Sequence, residues 1–196
     1  MSEQNPPSNP KILVFTAPSG AGKTTLVRHL LDRFPDQLGF SVSATTRAPR
    51  PTERHGYDYY FLTPEEFQAR AAAGEFLEFE EVYANQYYGT LRSEVERVWA
   101  GGKCMVFDVE VKGAAAIKRA YPNEARVVFV APPSDEVLFA RLQGRGTESS
   151  ASLERRIARA AEELNQRDHF DLVLVNDDLT VAKRQAEQIA TAWLEE

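Results

Sequence analysis

Lys11-Ile-Leu-Val-Phe-Thr-Ala-Pro-Ser-Gly-Ala-Gly-Lys-Thr-Thr-Leu-Val-Arg-His-Leu-Leu-Asp-Arg-Phe34 changes character twice. Residues 11–16 form a continuous apolar run, suited to a strand buried on both faces. Small residues follow. Leu26, Leu30, Leu31 and Phe34 then recur at helical spacing up to Pro35, which cannot continue a helix. A strand, a Gly-rich loop and a helix in immediate succession make a cradle for a polyphosphate. Small residues let successive backbone N–H groups turn inward, and the helix N-terminus adds partial positive charge. Ala17-Pro18-Ser19-Gly20-Ala21-Gly22-Lys23-Thr24 fits the pattern G-x-x-x-x-G-K-[ST], with Ala in place of the first Gly. In that pattern Lys23 reaches the β- and γ-phosphates and Thr24 offers its hydroxyl to Mg²⁺. The Ala17 departure removes conformational freedom at the first loop position.

Outward from this unit, strands and helices alternate. Buried strands are expected near residues 12, 41, 105, 127 and 172, the second over Phe40–Ala44. Helices are expected over Leu91–Ala100, Gly113–Ala120, Asp135–Leu142, Ser152–Asp168 and Thr180–Leu194. This order predicts an α/β domain with a five-stranded parallel sheet. Two stretches break the alternation, about 43–98 and about 141–155. They read as inserts at the sheet's carboxyl edge, where ligands bind in open α/β sheets. The first carries a capped helix start at Thr63-Pro64-Glu65-Glu66 and a half-exposed antiparallel strand over Glu75–Tyr83. The second is small and polar at 144–150, as a lid would be. The core is then 10–42, 99–140 and 156–194, and residues 1–9 read as a disordered tail.

Composition narrows the partners. With 43% hydrophobic residues the chain can bury a core, and a net charge of −6 argues against nucleic-acid binding. A single cysteine, Cys104, excludes an intrachain disulfide framework and a Cys-based metal site. His29, His55 and His169 show no metal-ligand spacing. The start of the chain lacks the basic and apolar run of a signal peptide, and no stretch approaches a membrane span. A cytoplasmic location without membrane contact follows as the expectation; a monomer and a homodimer both remain open.

Ser41-Val-Ser-Ala-Thr-Thr-Arg-Ala-Pro-Arg50 adds a second anion reader. Arg47 and Arg50 lie three residues apart around Pro49, and Arg forks suit bidentate phosphate contacts. A polyphosphate loop plus a second Arg cluster implies a second phosphorylated ligand, although a solvated basic loop has the same composition.

Together these blocks resemble the guanylate kinase family, P-loop nucleoside monophosphate kinases that convert GMP and ATP to GDP and ADP. The matching stretches are 17–24, 40–50, Gly56-Tyr-Asp-Tyr59, Glu75-Phe-Leu-Glu78, Tyr87-Tyr-Gly89, Phe107-Asp-Val-Glu110, Gly144-Arg-Gly-Thr147 and Val175-Asn-Asp177. They run in family order over about residues 10–194. The resemblance implies that Ala17, Pro18, Ser19, Gly20, Ala21, Gly22, Lys23, Thr24, Thr25 and Asn176 hold ATP. It implies that Arg47, Arg50, Tyr59 and Tyr88 hold the GMP phosphate, and that Ser43, Glu78 and Thr90 face guanine. Thr90 stands where the family often has Ser, and the hydroxyl survives. Asp108 and Glu110 are placed by the acceptor nucleotide, Glu110 where Asp is usual. Asp108 also acts on Mg²⁺, directly or through water. Lys23, Arg145, Arg156 and Arg141 are the implied catalytic cations, the last three around the lid. Chemistry supports Glu78, because one carboxylate accepts both the ring N–H and the exocyclic amine of guanine and repels the ring acceptor of adenine. Two alternatives stay open: a kinase for another acceptor, and a non-catalytic guanylate-kinase-like module, in which the P-loop is degraded.

Overall fold

The computed structural model describes residues 10–83, 85–143 and 150–196, without the side chains of residues 83, 143 and 150–156. The expected tail and residues 144–149 of the expected lid, including Arg145, lie outside the described residues.

The core is a parallel sheet. Its strands are β1 (Ile12–Thr16), β2 (Leu38–Phe40), β7 (Cys104–Val109), β8 (Ala125–Ala131) and β9 (Leu172–Val175), in the order β2-β7-β1-β8-β9. The central β1 is enclosed on both faces, as its unbroken apolar run predicts. Its side chains alternate between layers. Leu13 and Phe15 join one apolar cluster with Leu26, Leu30, Leu138 and Ala186. Ile12 and Val14 join the other with Val95, Phe107 and Ile117. The first layer is built by α1 (Lys23–Arg33), α5 (Asp135–Gln143), α6 (Ser150–Leu164) and α7 (Leu179–Glu195). The second is built by α3 (Arg92–Ala100) and α4 (Val111–Ala120). The expected α/β class with a five-stranded parallel sheet is what the chain adopts.

A second, four-stranded mixed sheet stands apart, in the order β4-β3-β6-β5. Its strands are β3 (Ala44–Thr45), β4 (Tyr60–Phe61), β5 (Phe76–Tyr83) and β6 (Gln86–Leu91). Helix α2 (Pro64–Ala72) covers it, with Phe67 stacked on Phe76 and Tyr87. The Thr63–Glu66 capping box forms as its sequence predicts.

Three expectations change. The strand expected over Phe40–Ala44 is split between the two sheets, because the chain crosses from one to the other at 41–43. There the Val42 N–H goes to the Glu94 carboxylate. Strand β6 was not expected. It pairs with β5 and β3, and Gly89 lets them close in, since a Cβ there would lie 2.7 Å from the Phe79 Cβ. The helix expected over Ser152–Asp168 ends at Leu164 and gives way to a short 3-10 turn at Arg167–His169.

Candidate active site

The loop after β1 opens at the carboxyl edge of the sheet. A cavity of about 190 Å³ in front of it is lined by residues 17–20 and 22–25 together with Glu110. A wider groove of about 460 Å³, lined in part by Lys11, Cys104 and Leu194, lies at the opposite, amino edge of the strands. Ligand sites of open α/β sheets are not found at that edge.

Backbone geometry explains which loop positions must be glycine. Gly20 and Gly22 have φ of 91° and 92°, in the left-handed region. Ala17 does not, and it is fully buried, so alanine satisfies the first position of the motif. Helix α1 starts at Lys23 with no side-chain cap and no acidic residue in its first turn. Its positive end therefore faces the cavity, as anion binding requires.

Gly22 is further constrained by the residue that follows β9. The buried Asn176 amide donates to the Ala21 carbonyl at 2.7 Å, and a Cβ on Gly22 would lie 2.3 Å from that amide nitrogen. The guanidinium of Arg141 donates from both terminal nitrogens to the Asn176 carbonyl, at 3.3 Å each. Asn176 thus braces the loop and anchors Arg141. Gly22→Ala should lose about 1–3 kcal/mol of stability from strain and displacement of the brace. Thermal unfolding checks it; a variant as stable as the parent would remove Asn176 as a brace.

Lys23 and Asp108 are brought together. The Lys23 ammonium donates to Asp108 Oδ1, and both side chains are about one-eighth exposed. Parallel pairing of β1 and β7 sets Asp108 opposite Phe15, at the level where the strand enters the loop. Thr24, Asp108 and Glu110 offer only oxygen donors, a set that fits a hard cation such as Mg²⁺. Among the described residues no group of three His, Cys, Asp or Glu side chains forms a metal cage.

On the second sheet, Glu78 and Thr90 face each other across β5 and β6, and Thr90 Oγ1 donates to Glu78 Oε1 at 2.8 Å. Burial pushes the Glu78 carboxyl above its ordinary range, the Thr90 bond offsets part of this, and the Glu80 charge adds to it. The other Glu78 oxygen lies over α4, where a Cβ on Gly113 would come within 3.2 Å. Gly113 gives that carboxylate its room. Sequence spacing did not single it out.

Arg47, Tyr59 and Tyr88 also converge. The Arg47 guanidinium carbon lies 5.4 Å from the Tyr59 ring centroid, and the Tyr59 and Tyr88 rings are 6.1 Å apart edge to face. Glu53 organises the turn. It accepts from Arg47 Nη2 at 2.8 and 2.9 Å and from the Arg50 N–H at 2.7 Å. The Arg50 side chain is exposed. Ser43 opens the second sheet, its carbonyl accepting from Tyr60 N.

Arg159 of α6 joins the two halves. It donates to Glu163 at 2.9 Å and to Glu80 at 3.3 Å, and lies 3.8 Å from Glu110. This gives Glu110 a partner. Arg156 lies on α6 two turns after its start, with its side chain outside the description, and Arg145 lies outside the described residues altogether.

Known proteins resemble this chain over most of its length. A family model described as guanylate kinase matches residues 9–192. A guanylate kinase of Salinibacter ruber is 54% identical over 171 residues, covering 87% of this chain and 90% of the relative. One of Bacteroides thetaiotaomicron is 48% identical over 184 residues, covering 94% and 90%. The crystal structure of guanylate kinase from Anaplasma phagocytophilum superposes with a TM-score of 0.72 at 28% identity, covering 97% of this chain and 89% of that one.

Proposed function

The chain belongs to the guanylate kinase family of nucleoside monophosphate kinases, and from that membership we propose that it transfers the γ-phosphoryl group of ATP to GMP. The observation that carries the acceptor is the half-buried Glu78 carboxylate. Thr90 holds one of its oxygens, and Gly113 lets the other lie close against α4. Two adjacent acceptor oxygens match the two adjacent donors on guanine. Ser43 completes the base contacts, and Arg47, Arg50, Tyr59 and Tyr88 receive the GMP phosphate. dGMP presents the same base and phosphate and is proposed as a second acceptor.

In the proposed reaction a GMP phosphate oxygen attacks the γ-phosphorus. The new P–O bond forms as the bond to the β–γ bridging oxygen breaks, and ADP leaves with that oxygen. Such transfers depend on alignment and charge neutralisation rather than on a covalent intermediate. Lys23 leaves Asp108 for the phosphates. Arg141, fixed on Asn176, and Arg145 and Arg156 supply further positive charge around the transferring group. Thr24 and Asp108 would hold Mg²⁺, which supplies charge neutralisation on the polyphosphate. Glu110 closes the cavity beside them. The proposed setting is purine nucleotide metabolism in the cytoplasm.

The test is ADP formation with Mg-ATP and GMP, AMP, UMP or CMP in turn. GMP should exceed the others in kcat/KM by about 10³-fold or more, because the wrong base leaves Glu78 unpaired. Preference for another monophosphate would refute the acceptor.

A further inference from the structure

The chain passes between the two sheets twice, outward through 41–43 and back along β6 into α3. One carboxylate on the return limb grips the outward limb. Glu94, in the first turn of α3, is 2% exposed. Its Oε2 accepts from the Val42 N–H at 2.7 Å and from Arg97 Nη2 at 2.9 Å. Its Oε1 accepts from the Tyr60 hydroxyl and from Arg97 Nε, both at 3.0 Å. Arg97 Nη2 also donates to the Phe40 carbonyl at 3.0 Å. The Glu94–Arg97 pair therefore holds the last residue of β2, the middle of the crossing and strand β4 in one knot. Burial alone would push the Glu94 carboxyl up, but the bonds from Arg97, Val42 and Tyr60 outweigh it and hold the group below the ordinary carboxylate range.

The residues that follow and precede this knot are acceptor residues. Ser43 comes directly after Val42, and Tyr59 directly before Tyr60. Ser43 must meet the same base as Glu78, although the two lie on different strands of the second sheet. Their convergence depends on where the crossing is fixed. We propose that Glu94 is a positioning residue for the acceptor nucleotide: by tying Val42 and Tyr60 to α3 it sets Ser43 and Tyr59 against Glu78 and Tyr88. The inference rests on GMP being the acceptor.

The chemistry of the knot makes Glu94→Gln an informative change. Each carboxylate oxygen takes two donors, and an amide offers only one acceptor end. The NH₂ end would face either the Val42 N–H and an Arg97 nitrogen, or the Tyr60 hydroxyl and an Arg97 nitrogen. The hydroxyl can turn to accept, but the arginine cannot. One limb of the knot is lost while the volume is kept.

Steady-state kinetics for both substrates, with thermal unfolding, test this in the wild type, Glu94→Gln and Tyr60→Phe. Glu94→Gln should raise the KM for GMP roughly tenfold, and Tyr60→Phe about threefold, with the KM for ATP within about twofold of the parent. A folded Glu94→Gln with an unchanged GMP KM overturns the proposal. So does an equal rise in both KM values, which would assign Glu94 to stability alone. Should Glu94→Gln fail to fold, Tyr60→Phe decides, and an unchanged GMP KM in that variant overturns the proposal. A wild type that does not phosphorylate GMP would refute the acceptor itself, before any variant is compared, and the positioning role with it.

Discussion

Lys23→Met should lower turnover by about 10³-fold or more while leaving GMP affinity within a few-fold, since it removes the charge proposed to act on the transferring group. Lys23 is the first residue of α1, behind a Gly22 fixed by the Asn176 brace. Methionine fills the space of the aliphatic stem, so the loop keeps its shape while the ammonium is lost. The same change strips Asp108 of its partner, and that carboxylate is only 12% exposed at its side chain. An under-solvated unpaired charge should cost about 1–3 kcal/mol of stability. The two consequences can be separated. Adding Asp108→Asn to Lys23→Met removes the unpaired charge, so thermal stability should recover while turnover stays lost. Assay of ADP formation, GMP titration and thermal unfolding of the single and double variants check this. A single variant that keeps more than a tenth of parental turnover would show that Lys23 does not carry the transfer.

The loop was legible in the sequence because its determinants are local: an apolar run, small residues, Lys-Thr and a helical repeat all lie within residues 11–34. Even the Ala17 irregularity resolves locally, since Gly20 and Gly22 alone hold the left-handed positions of this loop. The crossing at 41–43 was not legible. Apolar and small residues run through 38–45 without a break, and what divides them is Glu94, 52 positions beyond Val42. Strand β6 was hidden for a related reason. Tyr87, Tyr88 and Thr90 favour a strand, but Gly89 breaks the run, and it is β5 and β3 on either side that hold the segment extended. The Arg159 links to Glu80 and Glu110 join three separate elements, and no spacing rule encodes them. Glu53 could have been found: a carboxylate three residues after Arg50, in a Pro-rich turn, is placed to accept from the turn's backbone and side chains.

Glu78→Gln should cut kcat/KM for GMP by about 10²–10³-fold and narrow the gap between GMP and AMP, because an amide keeps one acceptor and turns a donor toward guanine's second donor. The change should leave ATP affinity alone. It also separates binding from folding through pH. Burial, followed by the smaller effect of the Glu80 charge, holds the Glu78 carboxyl above its ordinary range despite the Thr90 bond. In the proposed contact, GMP binding needs the ionised form. The parental KM for GMP should therefore rise on acidification at a pH above the ordinary glutamate range, with no matching rise for ATP, and Glu78→Gln should lack that rise. Stability runs the other way. A carboxyl whose folded pKa exceeds its unfolded value contributes fully below the unfolded value, and that contribution is lost as pH rises through the folded one. At neutral pH the ionised Glu78 is thus a cost to the unliganded fold, a cost that guanine's two donors would offset in the proposed contact. Glu78→Gln should then unfold at a temperature no lower than the parent at neutral pH, while failing with GMP. A variant that kept its GMP kcat/KM but melted earlier would make Glu78 a structural residue and leave guanine selection without its reader.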